Sequence, residues 1–225
     1  MQRYKSSTIR DYWDTPVKKS EGDMPYFSTL LNTTRVVRRR TVLELGCGTL
    51  KGAETYFGRD KQYVGGDISG SNLMEAAIRY KWGNRYHERG SFVKLDMTEL
   101  PFKNDSFDIV TSFDTVSALG TGVKRALREM KRVARDEIIF TVLHRDVITE
   151  RALYRVNRYP YLEFYNFRGL PNVAFTEDSL GSLLRGLNMR NVKIETFTSE
   201  DVLPFIKHSE GRGEVKECIL ATIRV

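Results

Sequence analysis

Residues 43–52 read Leu43-Glu44-Leu45-Gly46-Cys47-Gly48-Thr49-Leu50-Lys51-Gly52, a short apolar strand that runs into a glycine turn and then a helix. Glycines at such a turn let the backbone bend sharply and approach a ligand closely. A glycine pair after a strand also fits a plain tight turn. The dinucleotide fingerprint G-x-G-x-x-G, counted from Gly46, requires glycine at position 51, where the chain has Lys51. The spacing therefore does not favour a dinucleotide.

The rest of the chain alternates strand-like and helix-like runs, as in a parallel sheet covered by helices. The predicted strands are 41–45, 62–66, 91–95, 107–112, 137–143, 192–197 and 217–223, and the predicted helices are about 51–58, 71–82, 123–134 and 176–187, the last capped by Thr176. Segments 1–40 and 145–175 stand outside this alternation. We expect one domain over 1–225, with an N-terminal lid (1–40) and an irregular insertion (145–175) beside the ligand.

Two acidic residues follow predicted strands at the edge where parallel sheets bind ligands. Asp67 ends the second strand in Gly65-Gly66-Asp67-Ile68-Ser69, nineteen residues beyond Gly48, and Asp96 ends the third. A carboxylate at the second strand tip can accept hydrogen bonds from two ribose hydroxyls. Each acid alone also fits a helix cap or a solvated turn. The combination of Gly-x-Gly, Asp and Asp on three successive strand tips is more specific evidence for a ligand site than any one of these features alone.

This set of residues resembles the class I S-adenosylmethionine-dependent methyltransferases, in their small-molecule-like branch. The likeness covers residues 41–143 well and residues 176–225 by pattern only. It implies an α/β fold with a doubly wound, mostly parallel seven-stranded sheet in the order 3-2-1-4-5-7-6. The seventh strand of that sheet is antiparallel and would be Glu217 to Ile223.

The resemblance also implies S-adenosyl-L-methionine as cofactor and assigns roles to residues at the strand tips. The backbone of 44–49 would cradle the methionine end, Asp67 would hold the ribose, Ile68 and Met97 would flank the adenine, and Asp96 would contact its amino group. Ser112-Phe113-Asp114 resembles the family's motif IV. The implied cofactor-binding residues are Glu44, Gly46, Cys47, Gly48, Asp67, Ile68, Asp96, Met97 and Phe113.

The chain departs from the family pattern at several points. Leu50 stands where a third glycine is common. The fourth strand is not followed by Asn/Asp-Pro-Pro-Tyr/Phe, so the amino-methylating DNA enzymes are poor guides. The chain has no Pro-Cys dipeptide, which the 5-methylcytosine enzymes use. Cys47 is therefore interpreted as a small packing residue.

Methyl transfer is an in-line displacement whose rate depends mainly on alignment of the reactants and on exclusion of water from the site. A general base is needed only where the acceptor is a hydroxyl or a protonated amine. Topology places His144, after the fifth strand, and Asp114, after the fourth, as the catalytic candidates. A histidine at a strand end also fits a structural hydrogen-bonding role, and Asp114 also fits a contact to the cofactor.

Aromatic residues are concentrated in the insertion, where residues 145–175 hold seven of them. Together with Tyr12 and Trp13, they fit either the packing of a lid or an acceptor pocket, with Tyr161 and Tyr165 as further substrate-side candidates. Arginines interleaved with these tyrosines also suit single-stranded nucleic acid.

The net charge is +7, and it is unevenly distributed. Residues 1–40 carry +5 and residues 151–200 carry +2, whereas the remaining segments are balanced. As the resemblance implies, the acceptor is expected to be a small organic molecule, and the surplus cations favour one that carries negative charge. RNA is the alternative acceptor, and a non-catalytic cofactor-binding protein is the alternative class. An aminopropyl transferase on this fold is a further alternative. The sequence after Ser112 does not favour it, because that stretch has no acid-rich site for a polyamine.

The remaining composition excludes several classes of protein. Two cysteines, Cys47 and Cys218, and three histidines provide no zinc-ligand spacing and no disulfide framework. The N-terminal sequence has no signal peptide pattern, and no apolar run reaches the roughly 18 residues of a membrane-spanning helix. We expect a cytoplasmic protein without metal. The sequence does not indicate an oligomeric state.

Overall fold

The computed structural model describes residues 41–49, 62–83, 90–148, 154–158, 161–165, 171–198 and 216–225. Within these ranges the strands are β1 Thr41–Leu45, β2 Gln62–Asp67, β3 Gly90–Lys94, β4 Phe107–Ser112, β5 Ala134–His144, β6 Tyr154–Arg158, β7 Tyr161–Tyr165, β8 Pro171–Phe175, β9 Val192–Thr198 and β10 Lys216–Arg224. The α-helices are α1 Gly70–Gly83, α2 Val123–Val133 and α3 Glu177–Gly186, and short 3-10 segments cover Val116–Gly122 and Arg145–Ile148. The predicted helix at about 51–58 and the predicted lid at 1–40 lie outside the described residues.

The central sheet confirms the predicted order. Strands β3, β2, β1, β4 and β5 are neighbours in that order and all run parallel. Strand β10 pairs antiparallel with β5, and β9 pairs antiparallel with β10. With β9 as the sixth strand and β10 as the seventh, this is the order 3-2-1-4-5-7-6. The carboxyl ends of β1 to β5 therefore lie along one edge, where the candidate residues were expected to meet.

The insertion differs from the prediction of an irregular segment. Its strands β6, β7 and β8 form an antiparallel meander, and β8 pairs in parallel with the tip of β5 through Leu143↔Ala174 and His144↔Phe175. This pairing is feasible because β5 has 11 residues and β4 only 6, so the last residues of β5 extend beyond β4. Along β7, Leu162 and Phe164 pack in a small apolar cluster with Ala174 of β8, and Glu163 between them is buried as well.

Hydrophobic cores cover both faces of the sheet. On one face, Leu43 and Leu45 of β1 pack in the cluster that includes the apolar stripes of α2 and α3. On the other face, Val42 packs with Tyr63 of β2 and with residues of α1. Because side chains alternate along a strand, Glu44 lies on the same face as Val42, below the loop that follows β1. A carboxylate is thus placed at the edge of an apolar cluster.

The start of α3 is specified by its own sequence. Thr176 Oγ1 accepts a hydrogen bond from the Ser179 N–H at 3.2 Å, and Ser179 Oγ accepts one from the Thr176 N–H at 2.9 Å. This reciprocal capping box satisfies two backbone donors and confirms Thr176 as the N-cap. The helix then buries Leu180, Leu183 and Leu184 in the main core.

Thr176→Ala should lower the free energy of unfolding by about 1 kcal/mol, because the N-cap acceptor is lost. Thr176→Ser should retain most of that stability. Ser182→Ala on the same helix is the matched control, since among the described residues its hydroxyl is bonded to the exposed Arg185 side chain at 3.0 Å, and it should change stability by less than about 0.5 kcal/mol. Denaturant titrations measure all three variants. Equal losses for Thr176→Ala and Ser182→Ala would contradict the assignment of the cap.

Candidate functional site

The loop after β1 requires glycine at two positions. Gly46 has φ +71° and Gly48 has φ +53°, in the left-handed region that L side chains rarely adopt. A Cβ on Gly46 would also lie 2.2 Å from Thr115 Oγ1, so a side chain has no room there. The N–H groups of Gly46 and Cys47 donate to the Gly66 carbonyl at 2.7 and 3.1 Å. The loop is thereby fixed to the end of β2.

Asp67, the last residue of β2, is buried and accepts from the same loop. Its Oδ2 accepts from the Gly48 N–H and its Oδ1 from the Ser69 N–H, both at 2.8 Å. Burial raises the pKa of Asp67, while these backbone donors oppose that rise. Ile68, the next residue, is half-buried. The structure therefore brings the glycine turn and the acidic strand tip into direct contact.

Glu44 lies beneath the loop with its side chain buried. The Tyr63 hydroxyl donates to Glu44 Oε2 at 2.6 Å. Burial raises the pKa of Glu44 to about 7; the Tyr63 hydrogen bond opposes this rise and the negative charge of Asp67 adds to it. Sequence reasoning did not identify Tyr63. The available signal was the two-residue period along β2, which puts Tyr63, Gly65 and Asp67 on one face.

Cys47 packs inside the loop. Its Sγ would lie 3.0 Å from a Cβ at Gly65, so a glycine there makes room for the thiol. Burial raises the pKa of Cys47, and the negative charges of Glu44 and Asp67 raise it further. A thiol that stays protonated is a poor nucleophile, which agrees with the interpretation of Cys47 as a packing residue. Cys47 and Cys218 are both buried free thiols.

Asp96 and Met97 follow β3. The backbone N–H and the hydroxyl of Thr98 donate to Asp96 Oδ1 at 2.8 and 2.7 Å, so Asp96 organises a turn at this tip. The side chain of Asp96 is half-buried, whereas Met97 is buried in the main core cluster. This tip adds a partly exposed carboxylate to the edge that carries Asp67.

The tip of β4 carries an unusual backbone conformation. Phe113 is buried beside Tyr63, and the exposed Asp114 has φ +52°, which is rare for a residue other than glycine. Thr141 Oγ1 on β5 accepts from the Asp114 N–H at 2.9 Å and donates to Asp114 Oδ1 at 3.3 Å. Thr115 Oγ1 lies 3.0 Å from the Phe113 carbonyl and 3.4 Å from the Gly46 carbonyl. Backbone strain of this kind is concentrated at functional sites.

His144 ends β5 with its ring buried, and both ring nitrogens have partners. Nδ1 lies 3.1 Å from the Asp146 N–H and 3.4 Å from Asp146 Oδ2, and Nε2 lies 3.3 Å from Glu177 Oε2. Glu177 Oε1 accepts from the Thr196 hydroxyl at 2.8 Å. These contacts connect the end of β5 with the start of α3 and with β9.

The substrate-side candidates lie on different parts of the chain. Tyr161 begins β7 and its ring meets that of the buried Phe175 edge to face, with centroids 5.8 Å apart. Tyr165 ends β7, in register with Tyr154 and Pro171. Tyr12 and Trp13 lie outside the described residues.

Across the described residues no three His, Cys, Asp or Glu side chains form a group suited to a metal ion. None of the helices described combines the length and apolar character needed to cross a bilayer.

Comparisons with known proteins agree with this fold. A family model described as a methyltransferase domain matches residues 43–141. A search of curated proteins by sequence gave no match. Solved structures with this fold include 1,6-didemethyltoxoflavin-N1-methyltransferase of Burkholderia thailandensis, crystallised with 1,6-didemethyltoxoflavin and S-adenosylhomocysteine. It is 18% identical with TM-score 0.63, over 97% of this chain and 82% of that chain.

Two further structures span nearly the whole of both chains. Magnesium protoporphyrin IX methyltransferase of Synechocystis PCC 6803, with bound S-adenosylhomocysteine, is 15% identical with TM-score 0.65, over 98% of this chain and 100% of that chain. An S-adenosylmethionine-dependent methyltransferase of Clostridium acetobutylicum is 14% identical with TM-score 0.63, over 97% of this chain and 98% of that chain. Residues 43–141 therefore match a methyltransferase domain, and the sheet order and the solved structures show that the chain has the Rossmann-like fold of S-adenosylmethionine-dependent methyltransferases.

Proposed function

We propose that the chain transfers a methyl group by in-line displacement to a small organic acceptor at the carboxyl ends of β1, β4 and β5. The observation that supports this most directly is the contact between the two cofactor elements. The Gly48 N–H of the loop donates to the Asp67 carboxylate at 2.8 Å, so the loop and the acid form one preorganised unit. We also propose that residues 1–225 work as one domain in the cytoplasm.

The residues present suit S-adenosylmethionine. Gly48 has no side chain, and among the described residues no atom lies within 4 Å of the position a Cβ would take, so a ligand can approach the backbone closely. Asp67 would hold the ribose hydroxyls, Ile68 the adenine, and Asp96 the adenine amino group. The backbone of Glu44, Gly46, Cys47 and Gly48 would cradle the methionine end, and Met97 and Phe113 would support the pocket from the cores in which they are buried.

The cofactor supplies an electrophilic methyl group when bound. The chain's part is to align the acceptor with it and to exclude water. Asp114 is the candidate to remove a proton from the acceptor, because it is exposed at the tip of β4 and held by Thr141. His144 is the second candidate, but to act as a base its Nδ1 would have to release the Asp146 N–H. With both ring nitrogens engaged, His144 better suits the role of holding the insertion.

The acceptor is proposed to be small and to carry negative charge. The surplus cations of the sequence lie in residues 1–40 and 151–200, outside the balanced segment that forms the cofactor half. Two structures of this fold bear the names of enzymes that methylate small organic molecules. RNA is the second candidate acceptor on the same charge argument, and a protein that binds the cofactor without transferring its methyl group is the remaining alternative.

Tritiated-methyl transfer into fractionated cell extract should label the small-molecule fraction. Labelling of that fraction should respond only weakly to salt, whereas an RNA acceptor should lose binding steeply as salt rises. Heat-denatured enzyme is the control for spontaneous methylation. Label confined to RNA would replace the proposed acceptor class, and no label in any fraction would favour the non-catalytic alternative.

Asp67→Ala should weaken S-adenosylmethionine binding by about tenfold or more, because it removes charge-assisted hydrogen bonds and the anchor of Gly48. Asp108→Ala is a matched control, since Asp108 follows the first residue of β4 at the opposite edge of the sheet and pairs with Arg135. Titration calorimetry with the cofactor and its demethylated product measures both. Equal affinities in the wild type and Asp67→Ala would contradict the cofactor assignment.

Asp114→Asn should lower turnover about a hundredfold with little effect on cofactor affinity, as expected for the loss of a general base. His144→Ala should lower turnover less, in proportion to any loss of stability. The readout is kcat for the acceptor found in the labelling experiment, together with the cofactor Kd. Turnover unchanged in Asp114→Asn would remove Asp114 as the base, and a larger loss in His144→Ala would transfer that role to His144.

A further inference from the structure

We propose that cofactor binding displaces a proton from the buried Glu44 carboxyl group, and that the Tyr63 hydroxyl is the positioning residue that controls this displacement. The proposal rests on the proposed function, because the cofactor is the cation that would replace the proton. It concerns a property of the site, proton release on binding, that goes beyond the assignment of cofactor-binding residues.

The geometry places Glu44 and Asp67 on one sheet face, separated by a residue without a side chain. Glu44 pairs in register with Gly65, which lies between Tyr63 and Asp67 on β2. Because side chains alternate, Tyr63, Gly65 and Asp67 share the face of Glu44. Tyr63 is 1% exposed and its hydroxyl donates to Glu44 Oε2 at 2.6 Å. The carboxyl group is thus held by Tyr63 and buried, and Cys47 Sγ and the Phe92 ring fill the space over Gly65.

The charges around Glu44 are one-sided. In the described part of the chain, the titratable groups facing it are Tyr63 and Asp67 on β2 and Cys47 in the loop. On the β4 side its register partner is the neutral Thr111, whose hydroxyl lies 3.4 Å from the Leu43 carbonyl. No cationic side chain among the described residues forms an ion pair with Glu44 or Asp67. Two buried carboxylates without a cation are costly to ionise together.

In the folded protein without cofactor, Glu44 is therefore partly protonated near neutral pH and mostly protonated below it. This agrees with the pKa of Glu44, which burial raises to about 7. S-adenosylmethionine carries a sulfonium and an ammonium group against one carboxylate, a net charge of +1. Its arrival favours the ionised form of Glu44. The O–H bond of the carboxyl group breaks, the electron pair stays on the oxygen, and the proton passes to the buffer.

The linkage has a definite sign in both binding and folding. Because protons compete with the cofactor, affinity should fall as pH drops below about 7. Because the folded pKa of Glu44 lies above its ordinary value, its contribution to the stability of the cofactor-free protein is present in acid. That contribution is lost as pH rises from about 4.5 to about 7.

Titration calorimetry with S-adenosylmethionine at about pH 6.5, in buffers of different ionisation enthalpy, measures protons released per cofactor bound. The wild type should release more than about half a proton at this pH. Glu44→Gln, which keeps a hydrogen-bonding partner for Tyr63, should release markedly fewer. Tyr63→Phe should shift the pH midpoint of affinity upward, since the bond that favours the ionised form is lost. Tyr80→Phe on α1, in the same apolar cluster, is the matched control.

The outcomes separate this proposal from the one on which it rests. Heat of binding that is independent of buffer ionisation in the wild type would overturn the proton displacement and leave cofactor binding intact. An absence of binding heat at every pH would overturn the proposed function. Thermal unfolding from pH 4.5 to 8 without cofactor provides a second test. The wild type should lose stability over this range and Glu44→Gln should lose less, and parallel curves for the two proteins would count against the proposal.

Discussion

The hydrogen bond from the Gly48 N–H to the Asp67 carboxylate is the constraint on which the rest of the site depends. It joins the loop after β1 to the tip of β2, and it requires the left-handed backbone that Gly46 and Gly48 supply. The same loop is held a second time by the Gly66 carbonyl and is bounded by Thr115, which follows β4. A ligand that binds here finds donors and acceptors already in place, so little conformational entropy is lost on binding.

The fold was largely predictable where local pattern and tertiary role agree. β1 and β4 have their predicted bounds because each is an apolar run ended by turn residues, and α3 begins at Thr176 because a capping box is a local device. The insertion was missed for the opposite reason. β8 forms because β5 extends beyond β4 and offers a strand edge at Leu143 and His144, and the length of one strand relative to another is not a local property.

The residues of the candidate site also differ in whether local sequence predicts them. Residues that follow a strand in sequence, such as Gly46, Asp67 and Asp114, are found by locating strand ends. Tyr63 and Thr141 act through contacts between strands that are adjacent in the sheet, so finding them requires the register of β1 on β2 and of β4 on β5. Thr115 acts through Gly46, a contact between the segments that follow β4 and β1. Thr141 is the clearest case, because it looks like an ordinary buried strand residue until its hydroxyl is seen to hold Asp114.

The buried acids Glu44 and Asp67 also lie in a different part of the sequence from the surplus cations. The acids are gathered under the cofactor loop, in a segment whose overall charge is balanced, while the surplus cations lie in the segments before β1 and after β5. Under the proposed function, a cationic cofactor would meet opposite charge at these acids. Glu44 and Asp67 would attract a bound cofactor less strongly once methyl transfer had removed its sulfonium charge. The same asymmetry that favours binding of the charged cofactor would thus favour release of its neutral product.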